Sequence, residues 1–124
     1  MLLVTHNMLK CNIRGVEEGY PLKIEATEIK EVESEFDIDR VKKLLERIQF
    51  SALKAATKDL KLSDLDSVDQ LTEGMFDDEE LMKKIHHVLF EIHVQDGNLI
   101  CPETGRKFPI KNGIPNMLLN EDEV

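Results

Sequence analysis

The sequence predicts an α+β fold in which one small antiparallel sheet, built from both ends of the chain, carries a helical insertion. Three observations predict it: residues 1–36 have the pattern of strands and turns, residues 37–94 repeat apolar positions at helical spacing, and residues 95–124 return to strands and turns. Pairing the two ends gives a β domain of residues 1–36 plus 95–124 and a helical domain of residues 37–94. A chain of 124 residues, 41% of them hydrophobic, is long enough for this arrangement.

The N-terminal part is predicted to contain strands on either side of a turn. Residues 2–4 form a short apolar run that we interpret as a strand, and residues 14–21 (RGVEEGYP) have the glycine and proline content of a turn. After the turn, Leu22, Ile24 and Ala26 alternate with charged residues, which is the period of a half-buried strand.

The middle of the chain predicts three helices. Asp37 or Asp39 is suited to cap the first helix, because a short carboxylate accepts the free N–H groups of a first turn. Ser51 is expected to cap the second helix. The third follows the acidic pair 77–78 and is expected to stop at residues 96–97. The apolar stripes of the three helices are Ile38, Val41, Leu44, Leu45 and Ile48; Leu53, Ala56 and Leu60; and Leu81, Ile85, Val88, Leu89 and Ile92.

The C-terminal part predicts a hairpin and an extended end. Residues 98–101 lead into a tight turn at 102–105, where a glycine supplies positive φ. Residues 106–110 are predicted as the returning strand, and 111–113 as a second hairpin turn. Residues 114–119 are an apolar, extended terminal segment.

The charge argues against a protein that binds nucleic acid by itself. The chain has 16 basic and 25 acidic residues, for a net charge of −9. Basic residues concentrate in residues 38–61, whereas residues 63–80 are acidic, and we expect 63–74 to be a mobile connection. Both stretches suit a solvated surface; alternatively the basic stretch meets an acidic partner or assists RNA that another subunit holds.

Motifs of known catalytic sites are missing from the sequence. There is no glycine-rich phosphate loop, no Gly-x-Ser-x-Gly elbow and no His-Glu-x-x-His sequence. His86 and His93, on or near the third predicted helix, are interpreted as structural residues, and His6 as a turn or interface residue. We therefore predict that the chain is not an enzyme and has no catalytic or cofactor-binding residues.

The expected location of the protein and the redox state of its cysteines follow from other patterns that the sequence does not contain. No run of 18 apolar residues predicts a membrane span. The N-terminus does not have the pattern of a signal peptide. Two cysteines, Cys11 and Cys101, are too few for a disulfide framework, so we expect a reducing, intracellular compartment.

Several segments together resemble one protein family. Residues 99–110 (LICPETGRKFPI) and 112–119 (NGIPNMLL) resemble the C-terminal signature of the small activator subunit shared by several eukaryotic methyltransferases, the tRNA methyltransferase 112 type. Residues 5–13 (THNMLKCNI) and 86–91 (HHVLFE) are similar to it as well, as are Phe36 and the residues FSA that begin at position 50. The resemblance covers essentially the whole chain.

The resemblance implies a non-catalytic, zinc-ribbon-like protein that forms one-to-one heterodimers. Its partners would be the catalytic subunits of methyltransferases that modify tRNA, ribosomal RNA or a translation termination factor. The partner would hold S-adenosylmethionine, so this chain needs no cofactor, touches RNA only indirectly and does not bind a membrane. The alternative is that the basic helical face also contacts the RNA substrate. The resemblance places such a protein in the cytoplasm and nucleus.

The resemblance also implies binding by strand addition, which suggests where the partner interface lies. Main-chain hydrogen bonds to a partner's edge strand supply affinity, and alternate side chains supply the fit. We expect a pairing strand at Asn116, Met117, Leu118 and Leu119, preceded by Ile114 and Pro115, and a second apolar edge at His6, Asn7, Met8 and Leu9. Alternatively, these residues fill the core of the chain itself.

The chain departs from zinc-bearing members of that family. Those members offer two cysteines in each of two knuckles, whereas here the second positions fall near Val16 and at Thr104. Structural zinc takes about four ligands. Cys11 and Cys101 are therefore interpreted as remnants of a zinc site, close together if the fold is shared, and zinc is predicted to be absent.

Overall fold

A four-stranded antiparallel sheet lies at the centre of the computed structural model, which describes residues 1–68 and 70–123. Asp69, in the predicted acidic connection, and Val124, at the end of the predicted β domain, lie outside the described residues. The strand order is β1-β2-β3-β4. The α-helices and strands are α1 (Leu3–Met8), β1 (Lys23–Glu31), α2 (Ile38–Leu45), α3 (Phe50–Asp59), α4 (Glu79–His86), β2 (Ile92–Ile100), β3 (Lys107–Lys111) and β4 (Ile114–Pro115). The predicted α+β class is confirmed.

The sheet joins strands that are far apart in the sequence. β1 pairs with β2 from Lys23 opposite Ile100 to Glu31 opposite Ile92, with an irregularity at Glu28. Gly97 allows the two strands to approach closely, because a Cβ there would lie 2.1 Å from the Glu25 carbonyl oxygen. The division of the chain into a β domain and a helical domain stays a prediction.

Residues 3–8 form a helix, so the strand predicted at residues 2–4 is wrong except at Leu2, which is extended and forms a single β-bridge with His93. Leu3 is fully buried, and His6 and Asn7 lie buried on the same helical face, at the three and four spacing of a helix. The terminal ammonium of Met1 donates to the Val94 carbonyl at 2.7 Å. A helix of six residues is too short to be stable alone, so these tertiary contacts stabilise it.

The third helix ends earlier than predicted. α4 stops at His86, a π-helical turn covers His87–Glu91, and β2 begins at Ile92. The apolar pattern permits both interpretations, because Ile92 lies three residues after Leu89, as on a helical face, and also alternates with Val94, as in a strand. Residues 96–97 therefore do not stop a helix but lie inside β2, opposite β1.

The helix caps are partly as predicted. Asp37 caps α2 by accepting hydrogen bonds from the N–H groups of Asp39 and Arg40, at 3.0 and 3.3 Å. Ser51 does not cap α3: the helix begins at Phe50 after Gln49, and no side chain caps it locally. A distant residue fills that role instead, since the Asn7 carboxamide oxygen accepts from the Gln49 N–H at 2.9 Å.

The helices pack around one core with the inner face of the sheet. Leu53, Ile85 and Phe108 are among its fully buried members. The predicted mobile connection is anchored in this core by Leu65 and Val68, which are both buried. None of the helices in residues 1–68 and 70–123 has the length and apolar character needed to span a bilayer.

Candidate partner-binding surface

Large apolar side chains are exposed in both segments that the sequence marks as an interface. Met8 is 55% exposed, Ile114 70% and Leu118 78%. Isolated exposed apolar residues are common on proteins and need no explanation. Here, however, three of them lie in two segments that are far apart in the sequence, which makes this surface a candidate binding site.

The C-terminal segment 114–119 alternates between two environments. Its odd-numbered residues Pro115, Met117 and Leu119 are half-buried against the body of the chain, whereas the even-numbered residues between them are exposed. The two interpretations of this segment, as a partner interface and as part of the core of the chain itself, therefore apply to different residues. Half of its side chains pack onto the chain itself, and half point toward solvent.

The expected pairing strand at residues 116–119 forms no regular strand in this structure, since β4 ends at Pro115. The Asn116 N–H donates to the Pro109 carbonyl at 2.9 Å, and the Leu118 N–H donates to the Asn116 side chain at 3.0 Å. Within the described residues, the N–H groups of Met117 and Leu119 donate to no acceptor. The segment therefore presents free main-chain donors.

Glu123, four residues beyond this segment, is hydrogen-bonded to the body of the chain. Glu123 accepts from Arg106 Nε through its carboxylate at 2.9 Å and from the Arg14 N–H through its carbonyl at 2.6 Å. The Arg106 hydrogen bond lowers the pKa of the Glu123 carboxyl, and the Glu123 partner raises the pKa of Arg106. These contacts hold residues 116–123 along the sheet.

In the N-terminal segment, the four residues assigned from the sequence divide into two buried and two accessible side chains. His6 is 1% exposed, and one ring nitrogen, Nε2, lies 2.7 Å from the Leu22 carbonyl oxygen. Burial lowers the pKa of His6, and the Leu22 carbonyl opposes that change. Asn7 is also buried. Met8 and Leu9 are the two members that solvent reaches.

Asn7 joins three parts of the chain. Its carboxamide nitrogen donates to the Gln49 carbonyl at 2.9 Å, and its main-chain carbonyl accepts from the Tyr20 hydroxyl at 2.8 Å. Together with the Gln49 N–H bond, these contacts tie α1 to the start of α3 and to the turn before β1. Asn7 therefore fixes the position of the neighbouring Met8 and Leu9.

A cleft of about 480 Å³, which we call the N-terminal cleft, lies between the two segments. It brings Met8 and Leu9 together with Met117, as the sequence suggested. Sequence reasoning missed its other members. The lining residues are Asn7, Met8, Leu9, Lys10, Asn12, Tyr20, Arg47, Gln49 and Met117.

A second concavity of about 340 Å³ lies along α2. It contains Arg40, Lys43 and Arg47 from the basic stretch, but also Asp37 and Asp39. Arg47 lines both concavities. The basic stretch is therefore a solvated face with mixed charge at its N-terminal end.

The two cysteines meet, as expected from the shared fold. Cys11 and Cys101 are buried, and the two thiols are close enough to influence each other's pKa. Burial raises the pKa of the Cys11 thiol. Burial acts in the same direction on Cys101, but hydrogen bonds from the Thr104 hydroxyl and backbone outweigh it and leave the pKa of Cys101 lowered.

This donor set does not fit structural zinc. Two sulfurs are present where such a site takes about four ligands. In residues 1–68 and 70–123, no group of three His, Cys, Asp or Glu side chains is arranged to hold a metal ion. The absence of zinc and the zinc-ribbon-like character of the β domain both stay predictions.

The remaining histidines have structural partners. His86 packs edge-on against Phe36 and lies 3.1 Å from the Ser34 hydroxyl. His87 lies between two carboxylates, Asp64 at 2.9 Å and Glu31 at 2.6 Å. His93 lies on β2, which follows the third helix.

Comparison with known proteins gives consistent matches. A sequence profile of the family described as Trm112p-like protein matches residues 3–113. The chain is 46% identical over 124 residues to multifunctional methyltransferase subunit TRM112 homolog A of Arabidopsis thaliana, covering 100% of both chains. It is 44% identical over 124 residues to the multifunctional methyltransferase subunit TRM112-like protein of Mus musculus, covering 99% of this chain and 98% of that relative.

A solved structure agrees with the fold. A chain of the E. cuniculi Mtq2–Trm112 complex, which is responsible for methylation of the eRF1 translation termination factor, matches with a TM-score of 0.55. The two chains are 21% identical, and the alignment covers 95% of each. The match supports the α+β arrangement described above.

Proposed function

The chain belongs to the Trm112p-like family, and we propose that it is a non-catalytic subunit that binds and activates S-adenosylmethionine-dependent methyltransferases. Relatives of similar length are named multifunctional methyltransferase subunits, which supports this role. The catalytic partner holds S-adenosylmethionine, and this chain contributes no catalytic residue and no cofactor. The proposed substrates of the partners are tRNA, ribosomal RNA and the translation termination factor.

The open edge at residues 114–119 carries this proposal. Ile114 and Leu118 are exposed, and the N–H groups of Met117 and Leu119 have no acceptor within the described part of the chain. An extended segment with free donors and outward apolar side chains is suited to pair with the edge strand of another sheet. Left uncovered, such an edge promotes aggregation.

Strand addition at this edge explains how the subunit stabilises its partner. Pro115 has no N–H group, so the pairing register begins after it. Each catalytic subunit offers one sheet edge and each copy of this chain offers one segment, which gives one-to-one heterodimers. We propose that the partner's edge becomes covered in the complex and that its solubility improves for this reason. Because the proposed substrates include tRNA and ribosomal RNA, we also propose that the protein works in the cytoplasm and nucleus.

Co-expression with a catalytic subunit of the Mtq2 type tests the proposal. We expect a one-to-one complex by size-exclusion chromatography and methyl transfer only when this chain is present. Leu118→Asp should abolish the complex, because a buried, unpaired charge costs several kcal/mol, or roughly a 100-fold or greater loss of affinity.

A matched control places the same substitution elsewhere. Val32 is also exposed and apolar, but it follows β1 and belongs to neither segment. Val32→Asp should leave complex formation unchanged. Recovery of an intact complex with Leu118→Asp, or equal loss with both variants, would contradict binding at residues 114–119.

The second concavity, along α2, supports a second function, contact with the RNA substrate. Arg40, Lys43 and Arg47 lie together there. This function predicts that the free chain binds RNA at physiological salt and that Arg40→Glu with Lys43→Glu abolishes binding. If the free chain has no measurable affinity for RNA, this second function is wrong and only the partner-binding role remains.

A further inference from the structure

The N-terminal cleft contains two cations without counter-charges. The side chains of Lys10 and Arg47 are exposed, and among the described residues neither forms an ion pair or a hydrogen bond. All nine lining residues are neutral or basic. This composition is unusual for a chain with 25 acidic and 16 basic residues. The cleft is therefore a positive site on an otherwise acidic protein.

The same cleft presents apolar side chains that adapt easily. Met8 and Met117 come from opposite ends of the chain, and Leu9 lies beside them. A thioether side chain repacks at low cost, which suits a surface that receives different apolar groups. Asn7 holds this part of the cleft in place through its bonds to Gln49.

The chemistry of the cleft favours a protein segment over RNA. Single-stranded RNA is usually held by aromatic faces and a continuous row of cations. The cleft has one aromatic residue, Tyr20, and its hydroxyl is already bonded to Asn7. Two cations next to methionine and leucine side chains instead match an acidic residue with an apolar neighbour.

We propose that the N-terminal cleft binds a segment of the catalytic subunit that carries an apolar side chain next to an Asp or Glu. The apolar side chain packs against Met8, Leu9 and Met117, and the carboxylate pairs with Lys10 and Arg47. An arginine binds a carboxylate through two parallel hydrogen bonds, which fixes the orientation of the segment. The inference rests on the proposed function and adds a charge-based selection of partners to main-chain pairing.

Affinity measurements with charge variants test the electrostatic part. The full chain is titrated calorimetrically with an Mtq2-type catalytic subunit at low and at high salt. We expect Lys10→Glu with Arg47→Glu to weaken binding by roughly 10- to 100-fold at low salt and to remove most of the salt dependence. The corresponding double change to Gln should have a smaller effect, because it removes attraction without adding repulsion.

A matched control reverses a charge outside the cleft. Lys30 is exposed on β1, so Lys30→Glu changes the net charge of the chain without changing the cleft. It should shift the dissociation constant by less than about twofold. Equal losses with Lys30→Glu and with a single cleft reversal would show that net charge alone is responsible, and would overturn the proposal.

Cross-linking identifies the occupant directly. A carbodiimide joins a lysine amine to a carboxylate only when they are in contact, without a spacer. In the complex, we expect mass spectrometry to find Lys10 joined to an Asp or Glu of the catalytic subunit, next to an apolar residue. A cross-link pattern in which Lys10 joins no partner carboxylate, although other lysines do, would contradict the cleft assignment.

The outcomes separate this inference from the function on which it rests. If Leu118→Asp abolishes binding while the double reversal does not change it, the subunit role stands and the cleft assignment is wrong. If the reversals weaken binding of a single-stranded RNA but not of the catalytic subunit, the cleft is an RNA site. If the unmodified chain binds no methyltransferase subunit, both proposals fail.

Discussion

The start of the inner strand β2 and the terminal segment 114–119 both alternate between more and less buried side chains, but they differ at their edges. β2 is hydrogen-bonded to β1 on one side and to β3 on the other. The terminal segment pairs with β3 at Ile114–Pro115 and through the Asn116 N–H, and the N–H groups of Met117 and Leu119 have no acceptor in the described chain. Alternation therefore orients the side chains of a strand, whereas edge partners decide whether it completes the fold or binds another protein.

The largest expected difference is in stability, and two leucines measure it. Leu99 on β2 is fully buried and Leu118 is 78% exposed. Leu99→Ala should lower the free energy of unfolding by about 2–5 kcal/mol, because it leaves a cavity in the core. Leu118→Ala should change it by less than about 0.5 kcal/mol. Urea denaturation of both variants checks this, and similar losses would show that the terminal segment belongs to the core.

The close approach of β1 to β2 predicts the next effect. Gly97 has a φ of +151°, and an added Cβ would collide with the Glu25 carbonyl. We expect Gly97→Ala to cost about 2–3 kcal/mol of stability. Gly105 also has positive φ, at +78°, but open space around it, so Gly105→Ala should cost only about 1 kcal/mol. Equal costs in thermal unfolding would mean that β1 and β2 separate without penalty.

A smaller effect is expected from the ion pairs at the outer end of β1. Burial opposes ionisation of His87, but hydrogen bonds with Glu31 and Asp64 raise its pKa above the ordinary value of 6.5. Its contribution to stability is therefore complete below about pH 6.5 and is lost as the pH rises through the raised value. His87→Gln should cost more in acidic than in basic buffer, by less than about 1 kcal/mol because the group is partly solvated. A pH-independent difference in urea unfolding would refute this.

The smallest effect on partner binding is expected from the thiol pair. Cys11 and Cys101 are buried and line neither concavity. We expect the double Cys→Ser variant to bind a catalytic subunit within about twofold of the unmodified chain, since it removes no surface group. Elemental analysis of the purified chain should find far less than one zinc per molecule. One zinc per chain, lost in the variant, would overturn the predicted absence of metal.

Most residues of the candidate surface could be predicted from the sequence, although the shape of the surface could not. The family resemblance implies strand addition, and this implication marks the apolar terminal segment and residues 6–9 as an interface. Lys10, Tyr20 and Arg47 carry no such signal, because isolated polar residues in a charged chain resemble ordinary surface. They acquire a role only when α1, the turn before β1 and the end of α2 come together around Asn7.

The sequence by itself determined the features that depend on neighbouring residues. The strand after the turn at residues 14–21, a helix cap at Asp37 or Asp39 and the hairpin turns follow from alternation, side-chain reach and glycine conformations within a few positions. Tertiary structure decided the rest. Leu3 and Val4 became part of a helix because Leu3, His6 and Asn7 are buried together, and β2 begins at Ile92 because β1 pairs with it there. Both choices depend on contacts between distant residues, whose free energy exceeds the weak local preferences of short apolar runs.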